Sequence, residues 1–342
     1  MTQKILLTGG AGYIGSHTYA ALSAAGHRAV ILDDFSNARR SVTERLGGLT
    51  GAPVTIIDGD VNDAALLARI FAGHAIDAVI HFAAKKAVGE SVAKPLDYAH
   101  VNIGGLTTLM QAMAAAGVFR LVFSSSATVY GDNAVPPTPE DAPLSWSSPY
   151  AFTKVACETI LRQAMAAEDR WQIGILRYFN PVGAHPSGLI GEDPADIPNN
   201  LMPFIAKVAT GELPEIRVFG NDYDTPDGTG LRDYIHVMDL ARGHVLSLEA
   251  LARTGESHLV NLGTGRAISV LEMIAAYSGA CGRDLPYRIA PRRPGDVTIY
   301  QANAERAADL LGFRTELDLD AMCTSSWHWI QSSHNWRMAE DG

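Results

Sequence analysis

Short apolar runs recur through the first half of the chain, and segments with helical periodicity separate them. Continuous runs of aliphatic residues are typical of strands buried on both faces of a parallel sheet. Between them, segments 64–71 and 106–116 have the amphipathic spacing of crossover helices. This alternation predicts an α/β fold with a doubly wound parallel sheet. The predicted strands are Ile5–Leu7, Ala29–Leu32, Val54–Ile57, Ala78–Ile80, Leu121–Phe123 and Ile173–Leu176.

The pattern changes after Asn180. Residues 181–233 are rich in Gly, Pro, Asn and Asp, which indicates long loops with little regular structure. The pattern over Tyr234–Leu251 predicts a short strand followed by a helix, and further helices are expected at Ser269–Tyr277 and Leu319–Ile330.

Length and composition are compatible with two domains. The chain has 342 residues, of which 47% are hydrophobic and 19% charged, as in an ordinary globular protein. We predict a dinucleotide-binding Rossmann domain over residues 1–180 and a smaller C-terminal substrate-binding domain over residues 181–342. Residues 231–265 are expected to return and pack on the Rossmann sheet.

Charge and cysteine content narrow the functional class. A net charge of −10 argues against nucleic-acid binding, which needs a basic surface. No apolar run approaches the ~18 residues of a membrane span, and a strand at Lys4–Thr8 leaves no room for a signal peptide. Cys157, Cys281 and Cys323 have neither paired nor metal-like spacing, so we expect reduced thiols, no metal and a cytoplasmic location.

A glycine-rich segment follows the first predicted strand and opens a helix. Gly9 would allow a tight turn, Gly12 the close approach of a pyrophosphate, and Gly15 the packing of helix on strand. Asp33 ends the second strand, where a carboxylate accepts hydrogen bonds from ribose hydroxyls and repels a 2′-phosphate. The segment therefore predicts a site for NAD and not NADP.

Tyr150 and Lys154 stand at i and i+4, which places them on one face of a helix, and Ser126 lies upstream. A phenol titrates near pH ~10, and a neighbouring ammonium or an oxidised nicotinamide favours its anion. We expect these cations to lower the tyrosine pKa toward ~7, which requires roughly 4 kcal/mol. Ser126 would share a proton with the substrate, so the three residues predict an alcohol-oxidising site.

Several motifs together resemble the UDP-glucose 4-epimerases of the extended short-chain dehydrogenase/reductase superfamily. The resemblance covers nearly the whole chain. It implies reversible epimerisation at C4 of UDP-glucose and UDP-galactose through a 4-keto intermediate with bound NAD, in a homodimer that pairs helices 96–116 and 150–166. The motifs are Gly9–His17, Lys86–Ser91, Ser124–Gly131, Arg177–Ala184, Ile197–Pro203, Gly228–His236 and Arg292–Asp296.

The resemblance implies roles for individual residues. Tyr150 would be the acid and base at the sugar 4-hydroxyl, Ser126 would hydrogen-bond the reacting oxygen, and Lys154 would bind the nicotinamide ribose. The other cofactor-binding candidates, including those placed at strand ends, are Tyr13, Ile14, Asp33, Asn37, Asp60, Val61, Phe82, Ala83, Lys86, Ser124 and Phe179.

The UDP part would be held by residues of the second half. Arg232 and Arg293 supply the bidentate forks that a diphosphate needs, and Asp296 can accept from ribose hydroxyls. Tyr300 would limit the room at the sugar 2-substituent, which predicts poor turnover of UDP-N-acetylhexosamines. The remaining substrate-binding candidates are Lys86, Ser126, Tyr150, Asn180, Asn200, Leu201, Arg217 and Phe219.

Three alternatives remain open at the level of the sequence. A nucleotide-sugar 4,6-dehydratase shares the first oxidation but needs acidic groups just after the serine, where Ala127–Val129 has none. A decarboxylase or epimerase acting on a UDP-uronic acid is the second. The third is a non-catalytic NAD-binding sensor on the same scaffold, since fold alone does not guarantee activity.

Overall fold

The computed structural model describes residues 2–132, 134–193, 200–293 and 296–340, with side chains up to residue 332. Residues 197–199 and 294–295, parts of two motifs quoted above, lie outside the described residues. The strands are β1 (Lys4–Thr8), β2 (Arg28–Asp33), β3 (Thr55–Asp58), β4 (Ala78–His81), β5 (Arg120–Ser126), β6 (Gln172–Tyr178), β7 (Asn180–Val182), β8 (Ile216–Phe219), β9 (Leu231–His236), β10 (His258–Leu262), β11 (Ala267–Ser269), β12 (Tyr287–Ala290) and β13 (Ile299–Tyr300). The α-helices are α1 (Tyr13–Ala24), α2 (Val42–Thr50), α3 (Ala64–Gly73), α4 (Val88–Ala93), α5 (Pro95–Tyr98), α6 (Gly105–Ala115), α7 (Pro149–Ala167), α8 (Leu201–Ala209), α9 (Val237–Thr254), α10 (Val270–Cys281), α11 (Glu305–Leu311) and α12 (Leu319–Glu340).

Seven parallel strands form the central sheet in the order β10-β6-β5-β4-β1-β2-β3. The six apolar runs singled out in the sequence lie in β1 to β6, except that β3 begins at Thr55, one residue later than predicted. The order of β1 to β6 changes direction between β1 and β4, which is the doubly wound arrangement. The predicted fold class is therefore confirmed.

The sheet is buried on both faces, which explains its continuous apolar runs. Ile5 and Leu7 of β1 pack into one hydrophobic cluster with residues of α1 and α9, whereas Leu6 packs into the cluster on the opposite face with residues of α3, α6 and α7. Successive strand side chains point to opposite faces, so each strand contributes apolar residues to both layers.

Residues of the second half form a separate core and also extend the central sheet. β9 pairs with β7, β11 and β13, and β8 pairs with β12. A third hydrophobic cluster joins α8, α10 and α12 to these strands. Within residues 231–265, β10 pairs with β6 in the central sheet, and α9 packs against α1.

The helix expected over residues 96–116 is continuous up to Ala115 but contains a π-helical segment. α5 passes directly into a π-helical stretch over Ala99–Gly104, which passes directly into α6. In the π-helical stretch, Asn102 is buried and bonds the Lys85 backbone at both N–H and carbonyl, and its amide also donates to Thr153. A buried amide with partners outside its own helix is one reason for a local widening. Within the described residues, no helix is long and apolar enough to cross a membrane.

Candidate active site

The site residues predicted from sequence follow strands of the central sheet at a single edge. Asp33 ends β2, Ser126 ends β5, and Phe179 follows β6, while the glycine-rich loop follows β1. The carboxyl ends of parallel strands meet at one edge, where ligands bind in open α/β sheets. The fold therefore places the candidate cofactor residues and the candidate catalytic residues side by side.

The glycines of the loop are required by its geometry. Gly9 has φ +69°, and a Cβ there would lie 2.6 Å from the Ala83 backbone nitrogen. At Gly15 a Cβ would approach the Gly9 carbonyl oxygen to 2.5 Å, so only glycine lets α1 pack on the loop. Gly12 precedes the first residue of α1, where backbone N–H groups and the helix dipole favour an anion.

Asp33 supports the loop as well as facing the site. One carboxylate oxygen accepts from the Ala11 backbone N–H at 2.9 Å, and the other from the Phe35 N–H at 2.9 Å. Burial raises the pKa of this carboxyl, and the two N–H groups oppose that effect. Each oxygen keeps a lone pair that a ribose hydroxyl can use. Asn37 and Asp60 are exposed beyond β2 and β3, and Val61 is buried.

The end of β4 lies against the glycine-rich loop. The backbone N–H groups of Phe82 and Ala83 both donate to the Thr8 carbonyl, at 2.9 and 3.0 Å. His81 is a core residue, as the sequence suggested: its Nδ1 is 2.6 Å from the Thr8 hydroxyl, and burial lowers its pKa to about 3. This segment thus forms one wall of the candidate cofactor site.

Tyr150 is positioned in the first turn of α7. The Ser148 hydroxyl accepts from the Ala151 N–H at 3.2 Å and caps the helix, and Pro149 occupies its first position. One turn later, the Lys154 ammonium donates to the Ser124 carbonyl at 2.8 Å. Ser126, at the end of β5, lies beside the Tyr150 phenol and acts against the burial that raises its pKa. The structure therefore brings the predicted serine, tyrosine and lysine together.

Among the protein's own groups, burial dominates the pKa values of Tyr150 and Lys154. Burial raises the Tyr150 pKa to about 12, and the nearby Ser126 only partly offsets this. Burial also lowers the Lys154 pKa to about 8. The ammonium is directed at the Ser124 carbonyl and at the face of the Phe123 ring, 5.0 Å from its centroid. The protein's own groups thus favour the neutral phenol.

A buried ion pair beneath the site was not predicted. Glu158 of α7 and Arg177 of β6 form a bidentate pair with N–O distances of 2.8 and 2.6 Å, and both are almost completely buried. The Ser125 hydroxyl donates to Glu158 at 2.6 Å. These contacts join α7, which carries Tyr150, to β5, which carries the serines, and to β6, which Phe179 follows. The sequence signal was an arginine at the end of an otherwise apolar strand, opposite a glutamate one turn beyond Lys154.

On the substrate side, four predicted residues form one cluster. Asp296 accepts from Arg232 at 3.1 Å and from Arg293 at 3.1 Å, and the Arg293 guanidinium lies 4.6 Å from the centroid of the Phe219 ring. Two guanidinium groups and an aromatic face suit a diphosphate and a planar base. Arg217, on the same strand as Phe219, has an exposed side chain and does not join this cluster.

Tyr300 lies between this cluster and the catalytic residues. It is opposite Arg232 in the pairing of β13 with β9, its hydroxyl donates to the Ala127 carbonyl, and its ring lies 5.6 Å from that of Phe179. Burial raises its pKa above the ordinary value, and the Tyr150 phenol lies close enough to contribute to that shift. Tyr300 therefore contacts residues of both regions, Ala127 beside Ser126 on one side and β9 with Arg232 on the other.

Asn180, Asn200 and Leu201 lie at the start of secondary-structure elements that face the site. Asn180 begins β7, Asn200 precedes α8 and Leu201 is its first residue. Asn200 donates to Glu192 at 2.9 Å, and Lys86 lies 3.8 Å from the same carboxylate oxygen. Glu192 is a site residue that sequence reasoning missed.

Metal-ligating and disulfide chemistry find no support in the part of the chain that the structure describes. No group of three His, Cys, Asp or Glu side chains is arranged there to hold a metal ion. Cys157, Cys281 and Cys323 are free thiols, the first and last of them buried.

Comparisons with known proteins agree with this geometry. The model of the NAD dependent epimerase/dehydratase family matches residues 5–263. The chain belongs to this family. UDP-glucose 4-epimerases of Neisseria meningitidis serogroup C and Yersinia pestis are 51% and 54% identical to it, over 97% and 95% of this chain and 98% and 96% of theirs. The resemblance inferred from the motifs is thereby confirmed.

Solved structures of family members have the same fold. The UDP-glucose 4-epimerase of Stenotrophomonas maltophila, with bound NAD and formylated UDP-arabinopyranose, matches with a TM-score of 0.96 and 48% identity, over 98% of this chain and 99% of that one. The Bifidobacterium longum enzyme, in complex with NAD+ and UDP, matches with a TM-score of 0.91 and 48% identity, over 97% and 99%. In the family, this arrangement of elements thus accommodates both a dinucleotide and a UDP group.

Proposed function

We propose that this protein is an NAD-dependent UDP-glucose 4-epimerase that interconverts UDP-glucose and UDP-galactose through a 4-keto intermediate, without net oxidation. The observation that carries this proposal is the placement of Ser126, at the end of β5, beside Tyr150, with Lys154 one turn beyond and donating to the Ser124 carbonyl of the same strand. We assign NAD binding to residues 1–180 and UDP-sugar binding to residues 181–342, with residues 231–265 supporting the first part.

The residues present fit NAD. Gly9 has a positive φ, and a Cβ at Gly9 or Gly15 would clash with neighbouring backbone atoms. Because these positions are glycine, the backbone forms a cradle at the start of α1. Gly12 would face the pyrophosphate, Asp33 the adenosine ribose, and Lys154 the nicotinamide ribose. When bound, the cofactor would supply a reversible hydride acceptor for C4, and its positive charge would favour the Tyr150 phenolate.

Tyr150 would remove the proton from the sugar 4-hydroxyl and return it after the 4-keto sugar has turned its other face. In the protein alone its pKa is about 12, so the base form requires the added positive charge of the occupied site. The Ser126 hydroxyl, near the Tyr150 phenol, would bond the same substrate oxygen. The buried Glu158–Arg177 pair would keep α7 fixed against the sheet during this exchange.

The arginine cluster would hold the part of the substrate that does not react. Arg232 and Arg293 would bind the diphosphate, Phe219 and the backbone at Arg217 the uracil, and Asp296 the uridine ribose. Binding energy gained remote from C4 retains the intermediate while the sugar rotates about its phosphate linkage. Asn180, Asn200 and Leu201 would complete this side of the site.

A dehydratase is not favoured by the residues after Ser126. Ala127–Tyr130 forms a short 3₁₀ helix in which Thr128 donates its hydroxyl to Ser126 at 3.0 Å, and Tyr300 donates to the Ala127 carbonyl. None of these groups is a carboxyl acid that could expel a 6-hydroxyl.

The proposed assembly is a cytoplasmic homodimer that pairs the regions 96–116 and 150–166. Leu96 is 81% exposed and Phe152 43% exposed, and the Phe152 ring lies 5.5 Å from that of Trp146, which is also exposed. A cluster of large apolar side chains on adjacent helices favours burial against a second copy. Size-exclusion chromatography with light scattering would test this assembly.

The proposed activity is tested by mixing the purified protein with UDP-galactose and identifying the sugar by NMR, without added NAD. We expect conversion to UDP-glucose until both are present. Tyr150→Phe should lose at least about 1000-fold in rate, within the range of a removed general acid–base group. Tyr287→Phe, which alters an exposed tyrosine on β12, is the matched control. A Tyr150→Phe variant that keeps a tenth of the activity would remove Tyr150 from the mechanism.

A further inference from the structure

Glu192, in the described residues that follow β7, has its carboxylate in the interior of the site. Glu192 accepts a hydrogen bond at its backbone carbonyl from the Trp329 indole N–H, at 3.2 Å. The preceding residue is Gly191, where any Cβ would overlap the Trp329 ring. The close approach of loop and ring is possible only with glycine, and it fixes Glu192 to α12 from outside the site.

The Glu192 side chain points toward two proposed ligand-binding residues. Its Oε1 accepts from the Asn200 amide at 2.9 Å and lies 3.8 Å from the Lys86 ammonium. The Glu192 side chain is only 12% exposed, whereas that of Lys86 is 55% exposed. Burial raises the Glu192 pKa, and burial, with a further contribution from the Glu192 charge, raises the pKa of Tyr13 at the start of α1. One carboxylate thus lies close to groups from three separate elements.

These elements lie on different sides of the proposed site, the cofactor side and the substrate side. Lys86 follows β4 on the cofactor side, and Asn200 precedes α8 on the substrate side. An anion can attract the ammonium and accept from the amide at the same time, which a neutral side chain cannot do with equal strength. A flexible, largely exposed lysine loses much of its freedom when it is held by a fixed partner.

We propose that Glu192 is a positioning residue that holds Lys86 and Asn200 in their ligand-binding orientations and so links the cofactor side of the site to the substrate side. This inference rests on the proposed function, because the ligands of Lys86 and Asn200 are assigned there. Glu192 touches neither substrate nor cofactor in this proposal; it acts through the lysine and the asparagine.

Substitutions can separate the charge of Glu192 from its ability to accept a hydrogen bond. Glu192→Gln keeps an oxygen that can accept from Asn200 but loses the charge that attracts Lys86. Lys86→Met removes the other half of the ion pair. If the charge acts only through Lys86, the two substitutions share one effect, and the double variant shows little additional loss.

The experiment measures UDP affinity of the NAD-containing protein by isothermal titration calorimetry, in a double-mutant cycle. We expect Glu192→Gln to weaken UDP binding about 10-fold, the size of one charged hydrogen-bond contribution. In the Lys86→Met background the same substitution should cost less than about 2-fold. Glu212→Gln is the matched control, because Glu212 pairs with Lys207 at 3.7 Å on the surface at the end of α8. Its UDP affinity should equal that of the wild type.

Two results of this experiment would refute the proposed role of Glu192. UDP affinity of Glu192→Gln within 2-fold of the wild type would overturn the proposal, as would a full 10-fold loss in the Lys86→Met background. A merely structural role would lower the thermal midpoint and weaken UDP binding equally in both backgrounds. Wild-type protein that binds UDP and shows the expected coupling, but converts no UDP-galactose, would refute the proposed activity while supporting the role of Glu192.

Discussion

Lys154 holds a charge in the interior at a cost to stability, and replacing it by methionine should reveal that cost. Burial lowers the pKa of the ammonium from 10.5 to about 8. At about 1.4 kcal/mol for each unit of pKa, the charged form is disfavoured in the folded state by about 3 kcal/mol. Methionine has a similar length and no charge, so Lys154→Met removes this penalty together with the hydrogen bond to the Ser124 carbonyl.

The pH dependence isolates the charge from the lost contacts. Between pH 8 and pH 10.5 the unfolded chain holds a proton on Lys154 that the folded protein has released, so wild-type stability rises with pH. The penalty is complete below pH 8 and relieved above pH 10.5. The free energy of unfolding of the wild type minus that of Lys154→Met should therefore increase by about 2.5 kcal/mol from pH 7 to pH 10.

Urea unfolding followed by circular dichroism at several pH values measures this difference. Titrating groups common to both proteins cancel in the subtraction. Lys94→Met, which alters an exposed lysine on the surface, is the control and should give a difference that does not change with pH. If the Lys154→Met difference is equally flat, burial does not set the pKa of this amine and the reasoning fails.

Three further outcomes are expected. Glu158→Gln leaves a buried guanidinium without its anion and should lower the free energy of unfolding by about 3–5 kcal/mol in urea titrations; a loss below about 1 kcal/mol would contradict the buried pair. Gly191→Ala should lower the thermal midpoint because its Cβ overlaps Trp329, whereas Gly279→Ala, with nothing within 4 Å, should not; equal midpoints would refute the clash. Tyr300 should make kcat/KM for UDP-N-acetylglucosamine at least about 100-fold lower than for UDP-galactose, and Tyr300→Ala should narrow that gap; efficient wild-type turnover would exclude Tyr300 as the limit.

The fold was predictable because its strands are buried on both faces. A run such as Leu121–Phe123 must be apolar at every position to fill two layers, and this signal is local in sequence. The π-helical segment at Ala99–Gly104 was not predictable. Its cause is the bonding of Asn102 to Lys85 and Thr153, residues that sequence periodicity does not relate to it.

In the candidate site, too, some features are visible in the sequence and others exist only in the folded protein. The glycine loop and the Tyr150–Lys154 spacing are set within one turn or one helix, so the sequence shows them directly. Glu192 is different, since its partners Lys86 and Asn200 become neighbours only through tertiary folding. The Tyr150 pKa is likewise a property of the folded interior, because burial raises it by an amount that the spacing to Lys154 does not show.

The position of β10 at the edge of the central sheet has a consequence for biosynthesis. Strands β1 to β6 are complete by residue 178, but β6 remains an open edge, and α1 lacks the cover of α9, until residues 237–262 have been translated. An unpaired strand edge is a template for association with other chains. A nascent polypeptide that stalls before this stage is therefore expected to need chaperone protection, and a fragment ending at residue 180 should aggregate instead of retaining dinucleotide.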